Sequence, residues 1–150
     1  MTSYRPGSAV RRAALSAMLV VLCLPAPAAG QVPAVGCEVA DFNIVLKLYI
    51  PLAPDGSGSP GAGGMQGSLE IFHQKVPKER RLWSLDGKRP AQYWNHDGEF
   101  KLQLLLGSGD DRISLVLDTR RRQDTGEHMG GFRLETGAVK VTGRLACTIG

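Results

Sequence analysis

Apolar and polar residues alternate with a period of two along most of the chain beyond residue 40. The clearest example is the segment 41–50, DFNIVLKLYI, whose alternating apolar positions are Phe42, Ile44, Leu46, Leu48 and Ile50. Pro51 ends this segment, because proline has no backbone N–H to donate to a neighbouring strand. A period of two is typical of strands with one buried face, and nothing beyond residue 30 has convincing helical periodicity. The pattern therefore predicts an all-β protein.

Seven further segments carry the same alternation, at residues 67–74, 81–85, 91–95, 99–106, 112–119, 132–136 and 139–147. Turn-forming sequences separate several of them, including Asp86-Gly87, His96-Asp97-Gly98 and the segment 107–111, GSGDD. Consecutive strands usually pair, so we predict an antiparallel meander of about eight strands. A sheet with one apolar face needs a second apolar layer, which either a small barrel or a sandwich would supply.

The alternation also predicts the side chains that face the core beyond the first segment. They are Leu69, Ile71, His73, Phe100, Leu102, Leu104, Leu106, Ile113, Leu115, Leu117, Phe132, Leu134, Val139, Val141, Leu145 and Cys147. Residues 52–66 interrupt the pattern with a run rich in glycine, proline and serine, which predicts a flexible loop.

The first thirty residues predict a cleaved secretory signal peptide. Arg5, Arg11 and Arg12 form a basic start, residues 13–24 form an apolar run, and PAPAAG at 25–30 ends with the small residues of a cleavage site. An apolar run of about 12 residues is too short to span a bilayer, which requires about 20. We therefore expect a single mature domain over residues 31–150, located in the periplasm or secreted, without a transmembrane segment.

Removing the leader changes the charge of the protein. Arg5, Arg11 and Arg12 are three of the 18 lysines and arginines, so their loss leaves 15 basic residues against 14 acidic ones. A net charge near +1 gives no reason to expect a nucleic-acid partner.

The mature domain keeps two of the three cysteines, Cys37 and Cys147, since Cys23 lies in the leader. An even count in an exported chain predicts a disulfide between them. An even number of strands in a meander also returns the chain to the end at which it started. With Cys37 before the first strand and Cys147 at the end of the eighth, we expect both cysteines at one end of the domain.

If the chain reverses direction at every turn, successive loops lie alternately at the two ends of the domain. This places the loops at 75–81, 95–98 and 120–128 at one end, and those at 54–64, 86–90 and 107–111 at the other. The first group contains the arginines that we take as candidate ligand-binding residues, namely Arg80, Arg81, Arg120, Arg121 and Arg122. Guanidinium groups bind carboxylates, phosphates and sulfates through paired hydrogen bonds, whereas exposed basic loops can also serve solubility alone.

His73, His96 and His128 are predicted at this same end and are weak candidates for a metal site. Imidazole nitrogen is a good zinc ligand, but these three spacings match no local metal motif. Trp83, Tyr93 and Trp94 form a second candidate group, either a carbohydrate or aromatic ligand platform beside Gln92 and Asn95, or part of the core.

No motif in the sequence predicts catalysis. A G-x-S-x-G nucleophile elbow is missing, no mature cysteine is left unpaired, and the glycine-rich run lacks the lysine of a phosphate loop. We therefore predict a non-catalytic binding or inhibitor-like module for an anionic ligand or an acidic partner protein, without a cofactor. Two alternatives stay open: a metal-dependent enzyme that uses the three histidines, and a carrier of a small apolar ligand inside a barrel.

Overall fold

The computed structural model describes residues 32–137 and 139–150. In this part of the chain, nine antiparallel strands form one curled sheet that has the shape of a half-barrel. The strands are β1 (Ala34–Ala40), β2 (Ile44–Pro51), β3 (Gln66–Ile71), β4 (Leu82–Ser84), β5 (Gln92–His96), β6 (Glu99–Leu106), β7 (Ile113–Arg121), β8 (His128–Thr136) and β9 (Val139–Ile149). Two 3₁₀ turns accompany them, at Lys78–Arg80 and Gly109–Asp111. The predicted all-β class is confirmed.

The prediction of about eight strands is wrong by one, because it omitted β1. The strand order across the sheet is β4-β3-β2-β1-β9-β8-β7-β6-β5, so β1 lies between β2 and β9. In β1, Val35, Cys37 and Val39 are buried and alternate with more exposed neighbours. The strand therefore follows the same period-two rule as the others, over a length of only 7 residues.

If the chain reversed direction at every connection, the first and the ninth strand would run parallel. Because β1 and β9 are antiparallel, one connection does not reverse the direction of the chain. The pairing registers show where the chain fails to reverse. Leu82 of β4 lies opposite Glu70 near the end of β3, and Gln92 of β5 lies opposite Gln103 in the second half of β6. Strands β4 and β5 consequently run in the same direction, and they form the two edges of the sheet although they are consecutive in sequence.

The Cys37–Cys147 disulfide is present and joins β1 to β9. The two cysteines are direct partners in the register of these strands, and their Cα atoms are 4.2 Å apart. The bond links residues 110 positions apart in sequence. Its location differs from the prediction, because both cysteines lie within paired strands and not at the end of the domain. The bridge thus fixes the pairing between the first and the last described strand.

The inner face of the sheet holds a single continuous cluster of apolar side chains. All the predicted core positions that lie within strands are buried, including Phe100, Leu102 and Leu117. Because these apolar side chains pack against one another, the inner face forms a continuous core that apolar burial stabilises at about 25 cal/mol per Å².

Phe42 and His73 are the exceptions among the predicted core residues, because both lie outside the strands. His73 is half-buried, whereas the Phe42 side chain is 98% exposed. Phe42 lies in the turn between β1 and β2, where the Asp41 carboxylate accepts backbone hydrogen bonds from Asn43 and Ile44 at 2.7 and 2.8 Å. The alternation therefore begins at Ile44, and the segment 41–43 is a turn.

The connections lie at two ends of the sheet, which we call the upper end, where β1 finishes, and the lower end, where β1 begins. The pairings place residues 41–43, 72–81, 107–112 and 137 at the upper end. They place residues 52–65, 97–98 and 122–127 at the lower end. The predicted grouping of loops is therefore wrong for 54–64 and 75–81, because the chain does not reverse between β4 and β5.

The glycine-rich segment 52–65 is integrated into the fold. Leu52 and Met65 are buried in the core cluster. The side chains of Tyr93 and Asn95, both on β5, donate hydrogen bonds to the carbonyl oxygen of Gly58 at 2.8 and 3.5 Å. The segment thus crosses the lower end of the sheet and contacts the edge strand β5.

The predicted signal peptide over residues 1–30 lies outside the described residues. Within residues 32–137 and 139–150, no helix has the length and apolar character required to cross a membrane.

Candidate functional site

A polar depression of about 400 Å³ opens at the lower end of the sheet, and we call it the lower mouth. Its walls come from the segment 52–65, the β5–β6 turn, the β7–β8 loop and the last residues of β9. The residues that line it are Gly56, Ser57, Gly58, Asn95, His96, Asp97, Gly98, Arg121, Gly126, His128 and Ile149. Four glycines in this set have no side chain to narrow the opening.

The β5–β6 turn shows how the sequence builds one wall of the lower mouth. Asp97 and Gly98 both have positive φ, at 52° and 73°, which is the conformation of the two-residue hairpin turn favoured by Asp-Gly sequences. The predicted turn at residues 96–98 is confirmed. It brings Gly98 to the start of β6, where its carbonyl oxygen accepts a 2.7 Å hydrogen bond from the backbone N–H of Arg121.

Arg121 and His128 lie opposite each other at the ends of β7 and β8. Arg121 continues the inward alternation of Leu117 and Thr119, while His128 begins the inward series that includes Phe132. His128 also pairs in register with Cys147, so the disulfide-bonded strand lies on its other side. The imidazole is therefore held between two neighbouring strands, at the boundary between the core and the lower mouth.

Two buried polar atoms near this boundary have no hydrogen-bond partner within the described residues, Thr119 Oγ1 and His128 Nδ1. Thr119 is 1% exposed and His128 is 5% exposed. Thr119 lies opposite Gly130, one inward position from the Arg121–His128 pair. Buried polar groups are nearly always paired, so these two atoms mark a place where hydrogen-bonding capacity remains unused.

The three consecutive arginines of β7 and its following loop differ in their partners. Arg120 forms an ion pair with Glu99. Arg122 forms a bidentate ion pair with Asp124, in which Nη2 and Nε donate to the two carboxylate oxygens at 2.6 and 3.0 Å. These hydrogen bonds hold the pKa of each carboxyl group below its usual value. Arg121 belongs to none of the ion pairs among the described residues, and it is the arginine that lines the lower mouth.

Arg80 and Arg81, the other two predicted ligand-binding residues, lie at the upper end. Arg80 forms an ion pair with Asp111, and the Arg81 Nε donates a 2.9 Å hydrogen bond to the carbonyl oxygen of Val76. The structure therefore does not bring the five candidate arginines together. It separates them into a pair at one end of the sheet and a run of three at the other.

The three candidate histidines are separated in the same way. His96 and His128 line the lower mouth, whereas His73 follows β3 at the upper end, where its Nδ1 accepts a hydrogen bond from the backbone of Lys75. His96 is within 3.2 Å of the Asp97 carboxylate. In the part of the chain that the structure describes, no three His, Cys, Asp or Glu side chains are placed together to hold a metal ion.

The aromatic candidates divide between the two faces of the sheet. Trp83 packs against the core and donates a hydrogen bond from Nε1 to the carbonyl oxygen of Arg80 at 2.7 Å. Tyr93 also faces inward, in an edge-on contact with Phe100 at 5.8 Å between ring centroids. Trp94 faces outward and is 52% exposed. Only Trp94 of these three is thus available on the outer face of the sheet.

The environment of His128 predicts a pH-dependent stability. Burial and the positive charge of the facing Arg121 both lower the pKa of His128 from its ordinary value of 6.5, so folding favours the neutral imidazole. The unfolded chain then binds the proton more readily. As the pH falls below about 6.5, we expect the free energy of unfolding to decrease, and His128→Gln should remove this part of the decrease.

Urea unfolding of both proteins at a series of pH values measures this effect. Above about pH 8 the imidazole is neutral in both the folded and the unfolded state, so the two stability curves should run parallel there. Curves that remain parallel through the acidic range would show that the pKa of His128 does not change on folding.

The fold and the lower mouth together define a disulfide-linked all-β half-barrel with a polar, partly buried opening at one end. The chain matches no known family, no curated protein and no solved structure.

Proposed function

We propose that the protein is an exported, non-catalytic binding module that holds an anionic group in the lower mouth. The observation that supports this most directly is the pairing of Arg121, an arginine without an ion-pair partner among the described residues, with a buried imidazole whose Nδ1 is unused. A bound anion would accept hydrogen bonds from the guanidinium group of Arg121, with the imidazole of His128 beside it.

The physical basis is the position of these groups between the core and solvent. A guanidinium group offers donors in a fixed planar arrangement, which suits carboxylate, phosphate and sulfate. Arg121 is exposed, so the strength of such a bond comes from the charge and planar geometry of the guanidinium group. Protonation of His128 would add a second positive charge, so affinity for the anion should increase as the pH falls.

Two acidic side chains close to the lower mouth act against an anion. Asp97 lines it, and Glu127 directly precedes His128. The Asp97 side chain is mostly exposed and lies beside His96, so solvent and the neighbouring imidazole screen it. Arg121 is the direct partner of His128 in the pairing of β7 with β8, and its positive charge acts on the imidazole.

The disulfide supports the exported location. Disulfides form and persist in the periplasm or outside the cell, whereas reducing systems of the cytosol keep most thiols free. The leader predicted from residues 1–30 would direct the chain to such a compartment.

Substitution of Arg121 tests the proposal. We expect Arg121→Gln to weaken binding of inorganic phosphate or sulfate by about 10- to 100-fold, the effect of losing a charged hydrogen bond worth about 1.5–3 kcal/mol. Titration of each anion, followed by the NMR signals of the histidine side chains, measures the affinity and also reports whether His128 responds.

Arg122→Gln is the matched control, because Arg122 is adjacent in sequence but already paired with Asp124. Its affinity should stay within about twofold of the wild-type value. Equal losses in both variants would indicate a general charge effect, and an unchanged affinity in Arg121→Gln would overturn the proposal.

A further inference from the structure

The outer face of strands β5 to β8 carries a compact group of aromatic and polar side chains around Trp94. It lines a shallow depression of about 570 Å³, which shares no lining residue with the lower mouth, although the Trp94 ring is in edge-on contact with His96 at 5.9 Å between ring centroids. We call it the Trp94 patch and define it by Gln92, Trp94, Lys101, Gln103, Asp118 and Arg133. The function proposed above assigns no role to these residues.

The registers arrange these side chains in two adjacent rows across the strands. One row runs from Trp94 to Lys101 and on to Asp118. The second row runs from Gln92 to Gln103 and through Val116 to Arg133. Strand alternation directs all of these side chains to the outer face, away from the core. The indole ring therefore lies at the edge of a surface that presents amide, ammonium, carboxylate and guanidinium groups side by side.

An indole ring that is half exposed contributes nothing to the core, unlike Trp83 and Tyr93, which pack inward. Its polar neighbours are only partly engaged. Lys101 lies 3.3 Å from Glu99, and the Gln103 amide donates to Ser114 Oγ at 3.3 Å. The patch consequently combines one flat apolar face with hydrogen-bond donors and acceptors that still have unused capacity.

We propose that the Trp94 patch binds an uncharged oligosaccharide. A sugar ring has an apolar face, which can stack on the indole, and a rim of hydroxyl groups, which can pair with planar amides and charged side chains. Lys101 and Arg133 form ion pairs with Glu99 and Glu135, and Asp118 adds a negative charge beside them. The surface therefore has little excess positive charge, which suits a neutral ligand better than a polyanion. A depression of about 570 Å³ also lies within the range of about 300–1,000 Å³ that is usual for small-ligand sites.

Fluorescence titration tests this proposal, because the chain has only two tryptophans. In a Trp83→Phe background, Trp94 is the sole source of tryptophan emission. The probes are neutral hexasaccharides of β-1,4-linked glucose, β-1,4-linked N-acetylglucosamine and α-1,4-linked glucose. We expect saturable quenching or a blue shift with at least one of them, and a loss of affinity of about tenfold or more in Trp94→Ala, measured by calorimetry with the same sugar.

Tyr49→Ala is the matched control, because Tyr49 is an exposed aromatic residue on β2, far across the same sheet. It should bind the sugar as the wild type does, and Arg121→Gln should do so as well, because the lower mouth is a separate site. Three results would overturn the proposal: no change in emission with any of the three sugars, equal binding by Trp94→Ala, or binding that depends on Arg121. None of them affects the phosphate and sulfate test of the lower mouth.

Discussion

Replacing both cysteines, in Cys37→Ala/Cys147→Ala, is expected to lower the free energy of unfolding by about 4–5 kcal/mol. The bond joins positions 110 residues apart, so it removes much of the conformational freedom of the unfolded chain. It also fixes the pairing of β1 with β9, which no local turn could establish. Domains of this size typically have a total stability of about 5–15 kcal/mol, so the loss would be a large part of it.

Guanidinium chloride unfolding of the oxidised wild type and the double variant measures this difference. Wild-type protein unfolded in the presence of dithiothreitol is the control, and it should approach the stability of the variant. A difference below about 1 kcal/mol between wild type and variant would mean that β1 and β9 pair equally well without the bond.

Gly130→Ala is expected to destabilise the fold by about 3 kcal/mol or more, at the upper limit of ordinary overpacking. A Cβ atom at Gly130 would lie 2.0 Å from the backbone oxygen of Asp118 and 2.7 Å from the Cα of Thr119. Both contacts are with the backbone of the neighbouring strand β7, so rotation of a side chain cannot relieve them. The strands would have to separate next to Thr119 and the lower mouth.

Gly36→Ala is the matched control, since Gly36 also lies inside a strand but has no atom of residues 32–137 or 139–150 within 4 Å of its Cβ position. Alanine restricts the unfolded chain more than glycine does, so this variant should equal or exceed the wild type by up to about 1 kcal/mol. Thermal unfolding of both variants distinguishes the two sites. Equal stability of Gly130→Ala and Gly36→Ala would show that β7 and β8 tolerate a wider spacing.

The alternation of apolar residues predicts eight of the nine described strands and most of the core. Phe100, Leu117 and Leu134 are buried at the positions that the pattern predicted. In a sheet with one buried face and one solvent-exposed face, apolar and polar residues alternate along each strand. The same rule applies to β1. That strand was missed because glycine and two alanines weaken its signal and because it directly follows the predicted leader.

The disulfide was predicted correctly, but through an incorrect strand count. The count omitted β1 and assumed that the chain reverses between β4 and β5. Each error inverts the predicted direction of the last strand relative to the first, so together they left the predicted positions of Cys37 and Cys147 at the same end. The two errors did not cancel for the loops, so Arg80 and Arg81 were placed with Arg120–Arg122. Strand direction depends on whether a connection such as 85–91 turns back or continues, which the residues of that connection do not specify.

The lower mouth could be predicted only in part. The run Arg120–Arg122 was identified from its charge, but sequence alone did not distinguish the paired arginines from Arg121. The alternation contained a useful signal, because Leu117, Thr119 and Arg121 share one parity and therefore one face. The unused hydrogen-bonding capacity of Thr119 and His128 depends on long-range pairing with β8 and β9, which no short segment of sequence encodes.

The adjacency of β1 and β9 has a consequence for how this chain could be rearranged. Ala34 and Gly150 exchange backbone hydrogen bonds at 2.6 and 3.2 Å, so a few added residues could join them. A circular permutant opened between β4 and β5 would then visit all nine strands in their spatial order, from β5 through β9 and β1 to β4. The contacts of this permutant would be closer in sequence, which favours faster folding. The peptide linker would also hold β1 and β9 together in a reducing cytoplasm, where the disulfide does not form.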